Sequence, residues 1–214
     1  MRAIMAAAAA IGMLAVPATG RMLDPDVPAD ALEIMKRTQC GVQDGAPAVY
    51  YWSGRVYSRV RGERDKLLFR GEGMNIRQCV AVTDPVRGTG WRQVSREVML
   101  FLDPQTGEVL RNWRNPWTGE TVEVMHIAND PVNGRPNFAT GADGKPYRLG
   151  YQRVGDWIQM PVEVPLFYHN VLAGDYEEYV GGQYHAMEIF DFAARADELL
   201  DTAKAAGCLS VSWV

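Results

Sequence analysis

Histidine, amide and carboxylate stand close together in His126-Ile127-Ala128-Asn129-Asp130. A neutral imidazole is the usual general base near neutral pH, and Asn129 and Asp130 would orient it. His126 shares strand parity with Val122 and Val124, which would turn it inward. The bland alternative is a hydrogen-bonded core or turn histidine. Glu97 shares parity with Ser95 and Met99, opposite Val94, Arg96 and Val98. Facing an interior, its pKa would rise on burial and make it an acid or base; otherwise it is an exposed strand carboxylate. Tyr168, or an arginine, would stabilise negative charge developing on a substrate.

Binding residues can be picked out in the same way. Trp52, Trp91, Trp113, Trp117, Tyr151, Trp157 and Tyr168 form an aromatic set suited to a flat apolar ligand. Ordinary β-core packing would use the same residues. Arg59, Arg61, Arg92, Arg96, Arg111 and Arg114 crowd the strands, and an inward arginine, Arg96 above all, could hold a carboxylate or phenolate. Trp52, Trp91, Trp113, Arg96, Asn129 and His185 are the expected ligand contacts. His126, His169 and His185 show no close ligand spacing, so no metal site is expected. No dinucleotide fingerprint, P-loop, HExxH, GxSxG elbow or EF-hand loop occurs, and no cofactor is expected.

These residues need elements to position them. Arg21 to Pro28 reads as a proline-containing tether, and Asp30 to Thr38 as a short helix capped by Asp30 with Glu33 in capping-box spacing. From Val49 the period becomes two: Tyr51, Ser53, Arg55 and Tyr57 alternate with Trp52 and Val56, which predicts a strand with one wet face. Lys66 to Val82 reads as a strand pair broken at Gly71-Glu72-Gly73, followed by a turn over Asp84 to Gly90. Trp91 to Leu102, Glu108 to Trp113 and Thr121 to Ile127 read as a meander. Its turns are Asp103-Pro104-Gln105-Thr106-Gly107 and Asn115-Pro116-Trp117-Thr118-Gly119. Asn129 to Lys145 is a loop. Arg148 to Tyr168 is extended, with Pro161 and Pro165 implying an edge or breaks. Tyr184 to Phe192 is a strand, Arg195 to Ala206 a helix ending at Gly207, and Leu209 to Val214 a last strand whose pattern is still running where the chain stops. The expected fold is mainly β: a curved antiparallel sheet or β-barrel with peripheral short helices.

The block from Trp91 to Glu108, continued by Trp113-Arg114-Asn115-Pro116-Trp117-Thr118-Gly119-Glu120, His126 to Asn133 and Glu188-Ile189-Phe190-Asp191-Phe192, resembles a bacterial family designated domain of unknown function 1838. The likeness runs from about Tyr50 to Val214. It implies an export signal and, past the position of Trp213, a Trp- and Pro-rich tail. This chain lacks that tail and so reads as cut short. The resemblance implies no reaction and assigns no catalytic residue.

Composition narrows the function classes. Of 214 residues, 47% are hydrophobic and 22% charged, which argues against global disorder. A net charge of −4 makes no case for nucleic acid or an anionic membrane surface. Arg2, the uncharged run Ala3 to Val16 and Val16-Pro17-Ala18 read as a secretory signal over residues 1–20. Residues 21–48 would be the tether and helix, and 49–214 a single β-rich domain. No later segment is apolar and long enough to span a membrane, so a periplasmic or secreted location is expected. In that compartment two of Cys40, Cys79 and Cys208 could pair, or all could be buried small apolar residues. Three functions remain open, as does the oligomeric state: a binder of a small, partly aromatic molecule, a cofactor-independent lyase or isomerase with His126 as base, or an envelope structural or interaction protein.

Overall fold

The structure is a computed structural model that describes residues 20–170, 181–204 and 209–214. The expected signal over residues 1–20, save Gly20, lies outside the described residues, as do Cys208 and the end, Ala205 and Ala206, of the helix expected over Arg195 to Ala206. Of that helix a single turn forms, and residues 200–204 are not helical. The fold is mainly β, in two antiparallel four-stranded sheets and a short ribbon, without barrel closure.

Sheet one has the order β1-β2-β3-β6, with β1 over Ala48–Ser58, β2 over Lys66–Asp84, β3 over Gly88–Leu102 and β6 over Ile127–Asp130. The ribbon pairs β4 (Asn112–Arg114) with β5 (Thr121–Glu123). Sheet two has the order β10-β9-β8-β7, with β7 over Gln152–Val154, β8 over Trp157–His169, β9 over Gln183–Arg195 and β10 over Leu209–Trp213. α1 (Pro28–Cys40) and the single turn α2 (Ala196–Leu199) complete the described elements.

β2 runs 19 residues without a break. The Gly71-Glu72-Gly73 interruption expected there is absent, and the glycines have another use. Trp52 pairs with Gly73 in register. A Cβ on Gly73 would lie 2.2 Å from the Trp52 ring and 2.7 Å from the Val98 carbonyl; one on Gly71 would meet the same ring at 3.4 Å. The indole lies flat across a strip of backbone that glycine leaves bare.

The meander is redrawn as well. Both predicted turns form with the same chemistry. Asp103 Oδ1 accepts the Gln105 and Thr106 amides at 2.8 Å, and Asn115 Oδ1 accepts the Trp117 amide at 2.9 Å. Gly107 and Gly119 each take φ 76°. The returning chain meets β3 at Leu102 and Val109, then leaves it as the β4–β5 ribbon. It is β6, after the ribbon, that pairs with β3. His126 marks the departure, as described below.

Pro161 and Pro165 sit within β8 opposite Asp191 and Met187 of β9. β7 pairs with β8 only from Trp157 to Gln159. Among the described residues the proline-bearing stretch therefore pairs on one side, and a missing N–H on the other leaves no ladder partner unmet there.

α1 begins at Pro28, in the first turn where a missing N–H is harmless. Val27 is its N-cap, without a side-chain cap. Asp30 therefore lies inside the first turn and does not cap it. It accepts both Arg21 guanidinium nitrogens at 2.5 and 2.6 Å and the Asp24 amide at 3.0 Å. The expected tether is built into the body of the molecule: Leu23 is buried, and its amide donates to Leu200 O at 2.8 Å.

α1 closes one end of the space between the sheets. Ile34 of the helix packs with Ile158, Met160, Phe192 and Ala194 of sheet two, and with Tyr50 of sheet one. A second cluster, Leu32, Cys40, Cys79 and Trp91, joins the helix to sheet one through a Cys40–Cys79 disulfide. Among the described residues no helix is long and apolar enough to cross a membrane.

Candidate functional site

The inner face of sheet one carries an uncommon row of side chains. Pairing sets Asn75 beside Glu97 and Arg77 beside Ser95. Asn75 is buried, and its Nδ2 donates to Glu97 Oε2 at 3.1 Å. Its Oδ1 accepts Arg77 Nε at 2.7 Å. Arg77 Nη1 donates to Gln39 Oε1 at 2.9 Å, and the guanidinium lies 4.5 Å over the Tyr50 ring. The Tyr50 hydroxyl donates to the Thr38 carbonyl. Burial lowers Arg77 from its ordinary value and raises Tyr50. Buried polar groups persist only when bonded, and this relay satisfies them in turn from α1 out to Glu97. Ser95 ends the row, donating to the Val132 carbonyl and holding Asn133 Oδ1 with its amide at 3.2 Å.

Sheet two answers with rings and a carboxyl. Trp213 of β10 meets Trp52 edge-on at 5.5 Å and stacks on Phe190 of β9 at 6.2 Å. This ladder joins the inner faces of the two sheets, and the region between those faces is the cleft. Glu188, two residues from Phe190, is raised above the usual glutamate range, first by burial and then by repulsion from Glu97. Tyr168 stacks on Tyr184 at 4.9 Å. Its phenol is raised by burial, then by Tyr184, Glu188 and Asp130. Asp130 is the register partner of Glu97. Glu97, Glu188, Asp130 and Tyr168 thus share the end of the cleft away from α1. Among the described residues, no three His, Cys, Asp or Glu side chains are placed to hold a metal ion.

The residues singled out from sequence divide accordingly. Glu97, Tyr168 and Trp52 come to the cleft. Trp113 lies farther along the same face of sheet one, edge-on to Phe69 at 6.4 Å, with its Nε1 on Leu68 O at 3.4 Å. Trp91 is buried beside the disulfide, and its Nε1 donates to Leu32 O at 3.2 Å, so it has no surface to offer a ligand. Arg96 is exposed on the outer face, because β-strand alternation turns it away from Glu97. His185 pairs edge-on with Phe167 on the outer face of sheet two for the same reason. Asn129 is exposed and adopts φ 55°.

His126 has both ring nitrogens engaged. Nδ1 accepts the Phe101 amide at 3.1 Å, and Nε2 lies 2.9 Å from Leu110 O. That pattern describes a neutral imidazole protonated on Nε2. The ring replaces a rung of the ladder just where the ribbon peels from β3, and it has no lone pair to offer a substrate.

Asn75, Arg77, Glu188, Phe190 and Trp213 complete the cleft, and sequence reading had not singled them out as site residues. Alternation across an unbroken β2 would have put Asn75 and Arg77 on the side of Gly71, Gly73 and Cys79. Reading the glycines as a break hid it.

Searches of the curated proteins and of the solved structures found no match to this chain. The family model described as protein of unknown function (DUF1838) matches residues 45–214, a span that takes in both sheets, the ribbon and every cleft residue except Gln39 and Thr38 of α1; the chain belongs to that family.

Proposed function

We propose that this is an exported protein, periplasmic or secreted, that binds a small, partly aromatic molecule in the cleft between its two sheets. One observation carries the reading. Trp52 lies on bare glycine backbone and is only partly buried, directly beside the bonded polar row Glu97–Asn75–Arg77. A structural core would place apolar side chains there, whereas an apolar wall with a few fixed polar groups is the usual make-up of a ligand site. The Cys40–Cys79 disulfide supports the oxidising compartment that export implies.

The test is a thermal-shift screen of aromatic acids, phenols and amines. A true ligand raises the unfolding temperature saturably, because it binds only the folded chain. Trp52→Leu should abolish that shift and Glu97→Gln should change which head groups are accepted. A screen in which no compound stabilises the protein, or one whose hits ignore Trp52→Leu, sinks the proposal.

A second reading, a cofactor-independent lyase or isomerase, is favoured by the raised Glu188 opposite Glu97. A carboxyl that holds its proton more tightly than usual can serve as a general acid, with a second carboxyl nearby as its partner. Here Glu188 and Glu97 take the role expected of His126, with Tyr168 as the stabilising phenol. On this reading Glu188→Gln stops turnover of a bound compound without weakening its binding.

A further inference from the structure

The ribbon folds over the far end of sheet one and leaves an open apolar hollow of about 210 Å³. Its walls include Phe69 and Phe101 of sheet one and Trp113, Val122, Val124 and Met125 of the ribbon and its flank. Phe101 is four residues from Glu97 along β3, roughly 13 Å at 3.3 Å per residue, so the hollow is separate from the polar row of the cleft.

Three features of the hollow point to a ligand of one kind. First, its polar atoms are already committed. The Trp113 indole N–H donates to Leu68 O, the Phe101 amide donates to His126, and the Val124 amide donates to Arg111 O at 2.9 Å. These three N–H groups are therefore closed to a guest, and Glu123 is the one ionisable side chain in the lining. Second, the rings are set at right angles: Phe69 meets Phe101 at 5.0 Å and 82°, and Trp113 at 86°. Such an arrangement offers both faces and edges to another aromatic ring. Third, the His126 bridge between Phe101 and Leu110 pins the ribbon to β3 and so fixes the walls of the hollow relative to each other. A dry apolar cavity of about 150 Å³ suffices for a benzene ring.

We infer that this hollow is a second binding site, selective for a neutral aromatic molecule of one or two fused rings. Glu123, an exposed lining residue, is the carboxylate of the hollow and disfavours an anion there. The site is independent of the cleft proposed above, and the experiment separates them.

Naphthalene and naphthalene-2-carboxylate are titrated against the full chain by ligand-observed NMR. Naphthalene should saturate, and the carboxylate should bind at least about tenfold more weakly. Val124→Phe fills the hollow and should remove binding. Met125→Trp, at a position 76% exposed, covers the mouth without touching the core and should do the same if the first variant fails to fold. Trp52→Leu should leave binding intact. The inference is overturned by absence of saturation, by binding that survives Met125→Trp, or by binding lost in Trp52→Leu. The last result would instead place the ring in the cleft.

Discussion

At the scale of single residues, the glycines of β2 give the sharpest expectation. Gly73 and Gly54 are both strand glycines, but only Gly73 lies under a ring. Gly73→Ala must displace Trp52 and presses on a carbonyl of the neighbouring strand, whereas a Cβ on Gly54 meets nothing within 4 Å. Overpacking of this kind costs about 1–3 kcal/mol. Urea unfolding should show that loss for Gly73→Ala and a change within about 0.5 kcal/mol for Gly54→Ala. Equal effects at both sites would mean that the indole does not rest on Gly73. His126 belongs to the same scale: its chemistry was legible as an imidazole near an amide and an acid, yet its two nitrogens are spent on backbone that lies 16 and 25 residues away.

At the scale of elements, α1 matters most, because it stops one end of the cleft and supplies Gln39 and Thr38 to the polar row. It is tied to sheet one by Cys40–Cys79, whose partners are 39 residues apart. Closing a loop of that order stabilises a fold by about 2–4 kcal/mol. The double variant Cys40→Ser/Cys79→Ser should lose that much in denaturant unfolding, and wild type under strong reductant should match it. A reduced protein as stable as the oxidised one would show that the hydrophobic contacts of Leu32 and Trp91 hold the helix unaided. The strands themselves were readable at this scale. Alternation announced β1, β3, β9 and β10, and the paired Pro-x-x-Gly turns were placed correctly. What could not be read was that β4 leaves β3, since local pattern marks a strand but not its neighbour.

At the scale of the whole molecule, the two sheets bring Glu97 and Glu188 together from positions far apart in sequence. A carboxyl that is raised in the folded state holds its proton more tightly folded than unfolded. Its contribution to stability therefore declines as pH rises past its ordinary value of 4.5. Glu188→Gln should consequently be more stable than wild type near neutral pH, by about 1–3 °C in thermal midpoint, because the group is half-buried and solvent screens part of the effect. The advantage should vanish below the ordinary value. Thermal unfolding at about pH 7 and about pH 4 checks this. An advantage unchanged by acid would mean that the Glu188 carboxyl is not raised in the folded protein.

Residue order was enough to establish a mainly β chain, its turns and its short N-terminal helix, because those follow from side-chain periodicity and from the φ preferences of proline, glycine, aspartate and asparagine; the family showed in the likeness of whole sequence blocks. It also supplied Trp52, Glu97 and Tyr168 as candidates. Which candidates meet was settled by how the sheets pack. One residue of strand offset turns Arg96 and His185 to the outside, and a bare glycine strip gives Trp52 its bed. The pairing of β3 with β6 rather than β4 ties up His126. Contacts of this kind form between segments that know nothing of each other until the chain has folded.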